Sequence, residues 1–236
     1  MGGVILALKG AIDSPTSLLN IKPMTPEQIE ANKSRFIELC HEYIQRDGVD
    51  RLLNYLEQKT DFYTAPSSAS YHLNEEGGLC KHSINVFETA MVIKQHIVVP
   101  AINNAEAPFS EAPTDESIAI ASLFHDLCKT KFYHKAERWK KDSTGHWVSY
   151  PGYEIKDDFP FGHGEKSCLI LNQFISLHAD ELLAIRWHMG MFEMTEQGSG
   201  TRMAYRQAME KSPLVALLQT ADMISANIRE KTTVWE

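Results

Sequence analysis

Six side chains of the kind that bind metal ions punctuate this 236-residue chain: His82, His125, Asp126, His163, His188 and Asp222. Their settings are what make them informative. Residues 122–129 read Ser-Leu-Phe-His-Asp-Leu-Cys-Lys, which puts an imidazole and a carboxylate side by side at the end of an apolar run. An ionised aspartate buried there costs several kcal/mol in lost hydration, and a neighbouring imidazole alone offsets little of it. A divalent cation would. Asp222 stands in a similar place, flanked at helical intervals by Val215, Leu218 and Ala226. Imidazole and carboxylate donors suit Fe, Mn, Zn, Ni or Co, and a carboxylate bridging several histidines is the usual way to hold two such ions. Taken singly, each residue also has a plainer reading. A histidine on an apolar helix face, such as His82, is ordinarily a hydrogen-bonded core residue, and a helical aspartate is ordinarily solvated.

The elements that must position these side chains are mostly helical. Thr25-Pro26-Glu27-Gln28 combines an N-cap, a first-position proline and a capping-box glutamine, and predicts a helix to about Gln45. Asp47-Gly48 breaks it from a second helix over Val49 to Gln58, and Phe62 to Ser70 is rich in turn residues. A helix from Gly78 to about Val98 aligns Leu79, Val86, Ala90 and Ile93 on one face, with His82 in the stripe. Pro100 to Pro113 reads as a loop, after which Thr114 opens a helix that is apolar nearly all round and carries His125 and Asp126 at its end. Aromatic and β-forming residues on either side of Asp142-Ser143-Thr144-Gly145 predict an inserted hairpin over 131–156. Gly162-His163-Gly164 starts a helix to about Leu177, and Asp180 caps another that ends at His188-Met189-Gly190. A loop over 193–201, a short helix over 203–210 and a final helix from Leu214 to Arg229 complete the chain. The expectation is an all-α domain over 25–236 with its core at 77–230, preceded by an arm over 1–24.

Composition narrows the partners. A formal charge of −8 argues against a general electrostatic grip on nucleic acid or anionic membrane, a local basic patch aside. Such a patch exists: Lys129, Lys131, Lys135, Arg138, Lys140 and Lys141 face one acid, Glu137, between 129 and 141. As a solvated strand face it would do nothing; facing inward it would concentrate an anionic substrate. Cysteines 40, 80, 128 and 168 show neither CxxC spacing nor clustering, which points to buried thiols in the cytoplasm. Met1 to Leu8 is apolar but short and lacks a basic start, and no stretch approaches the roughly 20 apolar residues of a membrane helix.

Three local words carry a resemblance: Gly77-Gly78-Leu79-Cys80-Lys81-His82, His125-Asp126-Leu127-Cys128-Lys129 and Thr220-Ala221-Asp222. Over roughly Gly77 to Ile228 the chain resembles the HD-domain superfamily of metal-dependent phosphohydrolases, whose signature is a His, then His-Asp, then a distant Asp in a helical core. The resemblance implies an HD-domain helical bundle in which His82, His125, Asp126 and Asp222 ligate a first ion. His163 and His188 match the extra histidines of the binuclear branch, with Asp126 as the bridge, and Lys129 matches a lysine that meets substrate phosphate. Cys128 departs from the glycine common at that position. The implied reaction is attack of metal-activated water on a phosphoester, with one or two divalent transition metals, Asp126 and Lys129 as catalytic residues, and Lys129 as a substrate contact. Beside the resemblance, Arg186, two residues before His188, and Lys131, in the basic segment, are further candidate substrate contacts, with a plain surface charge as the ordinary reading of Arg186. A nucleotide-like small molecule is the expected substrate, a short nucleic-acid end is a further one, and no membrane is involved. Two other functions remain open on sequence: a mixed-valent di-iron oxygenase with the same ligand pattern, and a nucleotide-binding module without turnover. His72, ahead of the Gly-Gly-Leu turn, is a further residue that could reach the site, with a structural role as its ordinary reading, whereas His41, His96, His134, His146 and His178 default to surface or hydrogen-bonded roles.

Overall fold

The first helix begins as its sequence directs. Thr25 Oγ1 accepts from the Gln28 amide at 3.3 Å and Gln28 Oε1 accepts from the Thr25 amide at 2.8 Å, with Pro26 opening α1 (Pro26–Tyr43). The computed structural model describes residues 23–193 and 199–233, so the expected arm over 1–24 lies almost wholly outside the described residues. Then come α2 (Val49–Lys59), α3 (Gly78–Ile93), α4 (Val99–Asn103), α5 (Asp115–Phe124), β1 (Tyr133–Lys141), β2 (Trp147–Ile155), α6 (His163–Leu171), α7 (Ala179–Trp187), α8 (Ser199–Lys211) and α9 (Pro213–Ile224). The architecture is all-α with a small inserted hairpin.

Helices α3, α5, α7 and α9 form the centre: α3 packs on α5 and α9, and α7 packs on α5, α6 and α9. Leu79, Val86, Ile118, Leu123, Phe124, Ile185 and Leu218 fill the space between them, fully or almost fully buried. His125 and His188 follow the last residues of α5 and α7, and His82 and Asp222 lie about a turn or less from the ends of α3 and α9, which sets the ligand-type residues near the helix ends. The last turns of α3 and α9 run on as π turns, Lys94–Val98 and Ser225–Arg229.

Several boundaries differ from the sequence reading. The chain stays helical through Pro100 to Asn103, since the π turn over Lys94–Val98 runs directly into α4, with Pro100 as the second residue of α4. Helix α6 stops at Leu171 rather than near Leu177; Asn172 turns the chain, and its Oδ1 accepts from the Leu177 amide at 3.2 Å. The N-cap of α7 is His178, not Asp180, since the buried Glu181 carboxylate reaches back to the His178 amide at 2.8 Å. Of the expected loop over 193–201, residues 194–198 lie outside the described residues, and α8 starts at Ser199. Among the described residues no helix is long and apolar enough to cross a membrane.

Candidate metal centre

Two close backbone crossings bring the site together. A Cβ added at Gly78 would lie 2.1 Å from Leu73 O, so only glycine lets the 67–73 loop fold onto the start of α3 and bring His72 beside His82. The two rings are 4.9 Å apart. A Cβ at Gly164 would lie 2.4 Å from Arg186 O, and this close crossing of α6 on α7 puts His163 next to His188, ring centroids 5.1 Å apart. Spacing had placed both histidines at helix ends, and here the glycine provides the physical reason that they meet.

The carboxylate of Asp126 is the hub. Its Oδ2 lies 3.3 Å from His125 Nε2, 3.6 Å from His82 Nε2 and 2.6 Å from Lys129 Nζ. Its Oδ1 lies 2.8 Å from His163 Nε2 and 3.5 Å from His188 Nε2. Asp222 Oδ1 approaches His82 Nε2 at 3.2 Å. All six ligand-type residues read from the sequence are therefore brought together, with Lys129 among them. Groups of ligand atoms within 4.8 Å of one another include His82, His125 and Asp126, and also His125, His188 and Asp222.

Among the described residues, Nε2 of His82, His125 and His188 is buried without a hydrogen-bond partner; the nearby carboxylate oxygens are close but not aligned. Each orphaned group costs about 1–3 kcal/mol. On the other side of each ring, Nδ1 is occupied. His125 Nδ1 donates to Ser122 O at 2.8 Å, His188 Nδ1 to Ile185 O at 2.7 Å, and His82 Nδ1 to Glu230 Oε2 at 2.9 Å. With acceptors at Nδ1, the inferred tautomer leaves the Nε2 lone pair facing the hub, which is the form that ligates a metal.

Charge favours a cation in the same place. Burial pulls the His82 pKa down, but Glu230 and Asp222 outweigh it and carry it up to about 10. The same carboxylates that favour positive charge on this ring favour a metal cation beside it. Burial raises the Asp126 carboxyl, yet Lys129, His125 and His163 together hold it well below the usual range. Burial likewise lowers the Lys129 ammonium, and Asp126 outweighs it, so Lys129 stays charged.

A cavity of 460 Å³ opens over the cluster, lined among others by His72, Lys129, His188, Asp222 and Glu230. His72 is held neutral, its pKa pushed down to about 4 by burial and by the neighbouring His82 and Lys129. A larger cavity of 740 Å³ lies between the hairpin and Pro23-Met24, and none of the cluster residues lines it. Cys128 Sγ rests 3.1 Å from His163 Nδ1; burial, then Asp126, pushes its thiol up to about 12, so it stays a neutral partner of that ring.

Two expected substrate contacts lie elsewhere. Arg186 turns toward Glu165 at 2.6 Å and stacks on Trp187, and it lines a groove with Phe161 and Leu182 rather than the cavity over the cluster. Lys131 takes a left-handed backbone, φ +54°, with its amide bonded to Asp61 Oδ1, and its exposed side chain is not part of the cavity lining. Glu230 is the residue that sequence reasoning missed. Its amide bonds back five residues to Ser225 O in the π turn, and its carboxylate also accepts from Asn85 Nδ2 at 2.9 Å. A glutamate one residue past an expected helix end carries no sequence signal except its place about two turns after Asp222.

An all-helical core with buried His and Asp side chains converging from five separate segments is a protein built around a candidate metal centre. Residues 79–227 match the HD domain family, and the chain belongs to that family. HD domains are generally hydrolases that bind divalent metals, and the His/Asp groups here are ones that could hold them. No curated protein and no solved structure matches the chain.

Proposed function

We propose that the chain is a metal-dependent phosphohydrolase acting on a nucleotide-like phosphoester, with His82, His125, Asp126 and Asp222 holding one divalent ion and Asp126, His163 and His188 a second. The observation that carries this reading is the convergence of three unpartnered imidazole nitrogens on the two oxygens of one buried carboxylate. Asp126 presents Oδ2 to one set of donors and Oδ1 to the other, which is the division of labour expected of a bridge. When bound, such ions acidify water and draw charge from phosphoryl oxygens. The reaction joins a water oxygen to phosphorus, breaks the ester P–O bond and passes the water's proton to the leaving oxygen.

The side chains around the hub do the positioning. Lys129, charged and at the cavity wall, neutralises a phosphoryl oxygen as negative charge grows there. Neutral His72, its buried Nε2 without a partner among the described residues, offers a hydrogen bond to a substrate oxygen or base. Glu230 and the Ser122 and Ile185 carbonyls fix the ring orientations from behind.

The test is turnover of a phosphoester panel (nucleoside monophosphates, cyclic nucleotides, bis(p-nitrophenyl) phosphate and short oligonucleotides) by Mn- or Co-loaded protein under nitrogen. Hydrolysis without oxygen is expected. No turnover of any of them, or consumption of a substrate only in the presence of oxygen, would contradict the proposal. Glu230→Gln should keep the fold but weaken metal affinity by about 10–100-fold, because the His82 ring loses its charged acceptor. Competition with a chromophoric chelator measures this, and an unchanged affinity would remove Glu230 from the account.

A further inference from the structure

We infer that the β1–β2 hairpin is a binding site for single-stranded nucleic acid, stacking bases on Trp139 and Trp147 and meeting phosphates with Arg138, Lys140 and Lys141. The inference deepens the phosphohydrolase reading, on which it rests for the substrate class, by making an oligonucleotide the preferred phosphoester.

Two large rings stand in solvent where the fold gives them nothing to do: Trp139 is 58% exposed and Trp147 63%. The register pairs Trp147 with Lys141 and Ser149 with Trp139, so both indoles and Lys141 occupy one face near the tip. Arg138, Lys140 and Tyr150 occupy the other face. Lys141 Nζ lies 5.5 Å from the Trp147 ring centre and Lys140 Nζ 5.2 Å from that of Tyr150, which interleaves cations with aromatic surfaces. Bases stack on such rings whatever their identity, and neighbouring cations track the backbone.

Charge points to the same ligand. Residues 131–156 carry six lysines and arginines against three carboxylates, in a chain whose net charge is −8. Lys135 pairs with Glu76 and Lys156 with Glu154 toward the base of the hairpin, and Arg138, Lys140 and Lys141 outnumber the acids Glu137 and Asp142 over the outer part of β1 and the turn. Both faces carry cations. A membrane-inserting wedge would need one continuous apolar face, and this hairpin has none. β1 begins four residues after Lys129, at the wall of the cavity over the His/Asp cluster, and nine residues of strand extend about 30 Å. The tip thus lies within about one strand length of Lys129 along the chain.

The experiment uses the full metal-loaded chain and fluorescein-labelled phosphorothioate 15-mers, oligo-dT and oligo-U, read by anisotropy at several salt concentrations. Trp139→Ala/Trp147→Ala should weaken binding by about tenfold or more, and Trp139→Phe/Trp147→Phe should restore most of it. Lys140→Gln/Lys141→Gln should flatten the salt dependence, lowering the slope of log K against log salt by about 1.4. Hydrolysis of bis(p-nitrophenyl) phosphate by the same preparations should be unchanged in all variants. Absence of oligonucleotide binding at about 100 μM, equal binding by the alanine variant, or binding only to phosphatidylserine vesicles would overturn the inference. Oligonucleotide binding without hydrolysis of the small ester would instead remove the phosphohydrolase reading and leave the binding site standing.

Discussion

Arg46→Ala is expected to destabilise the fold by about 3–5 kcal/mol, a fall in Tm of roughly 6–20 °C for a domain of this size. The Glu181 carboxylate is fully buried at the start of α7, and Arg46, in the turn between α1 and α2, meets it with two hydrogen bonds of 2.7 Å. Ser117 Oγ at the start of α5 and the His178 amide donate to the same carboxylate at 2.8 Å. Glu116, also on α5, accepts from the amides of Gln45 and Arg46 at 2.8 and 3.0 Å. Removing the guanidinium leaves a buried carboxylate with neutral donors from Ser117 and His178 and its principal counter-charge gone. The network also ties together the N-terminal ends of α5 and α7, whose C-terminal ends carry His125-Asp126 and His188, so a loosened network should reduce metal affinity as well. Arg46→Met/Glu181→Leu should recover part of the loss, because an apolar pair has no unpaired charge. Thermal unfolding of the three proteins decides the matter, and a Tm within about 2 °C of the parent for Arg46→Ala would show that the network is not a structural tie.

This network shows where sequence reading stops. Arg46, in a turn, and Glu116 and Glu181, in helical segments, look like ordinary surface residues, and their pairing spans 70 to 135 positions of chain. Nothing local marks a glutamate as buried. The six ligand-type residues were legible for the opposite reason: a histidine or aspartate in an apolar stretch conflicts with its neighbours, and that conflict is visible without coordinates. Capping chemistry placed α1, and the turn residues at Asp142 to Gly145 placed the hairpin, since both signals act within a few residues. The end of α6 and the cap of α7 were misplaced because Asn172 and Glu181 act through contacts that a helix-periodicity argument does not contain. Glu230 escaped for a related reason, reaching His82 across 148 residues of sequence.

The central claim is that Asp126 bridges two ions. Each of its oxygens faces a separate set of imidazoles, so its loss should affect both sites, whereas loss of a terminal imidazole should affect one. Elemental analysis of protein purified without chelator and reconstituted with Mn or Co measures this directly. The parent chain should carry about two ions, His188→Ala about one, and Asp126→Ala none, with hydrolytic activity lost in the last, because both ligand sets share the Asp126 carboxylate. Less than about half an ion per parent chain after reconstitution would contradict the metal centre, and two ions retained by His188→Ala would contradict the bridge.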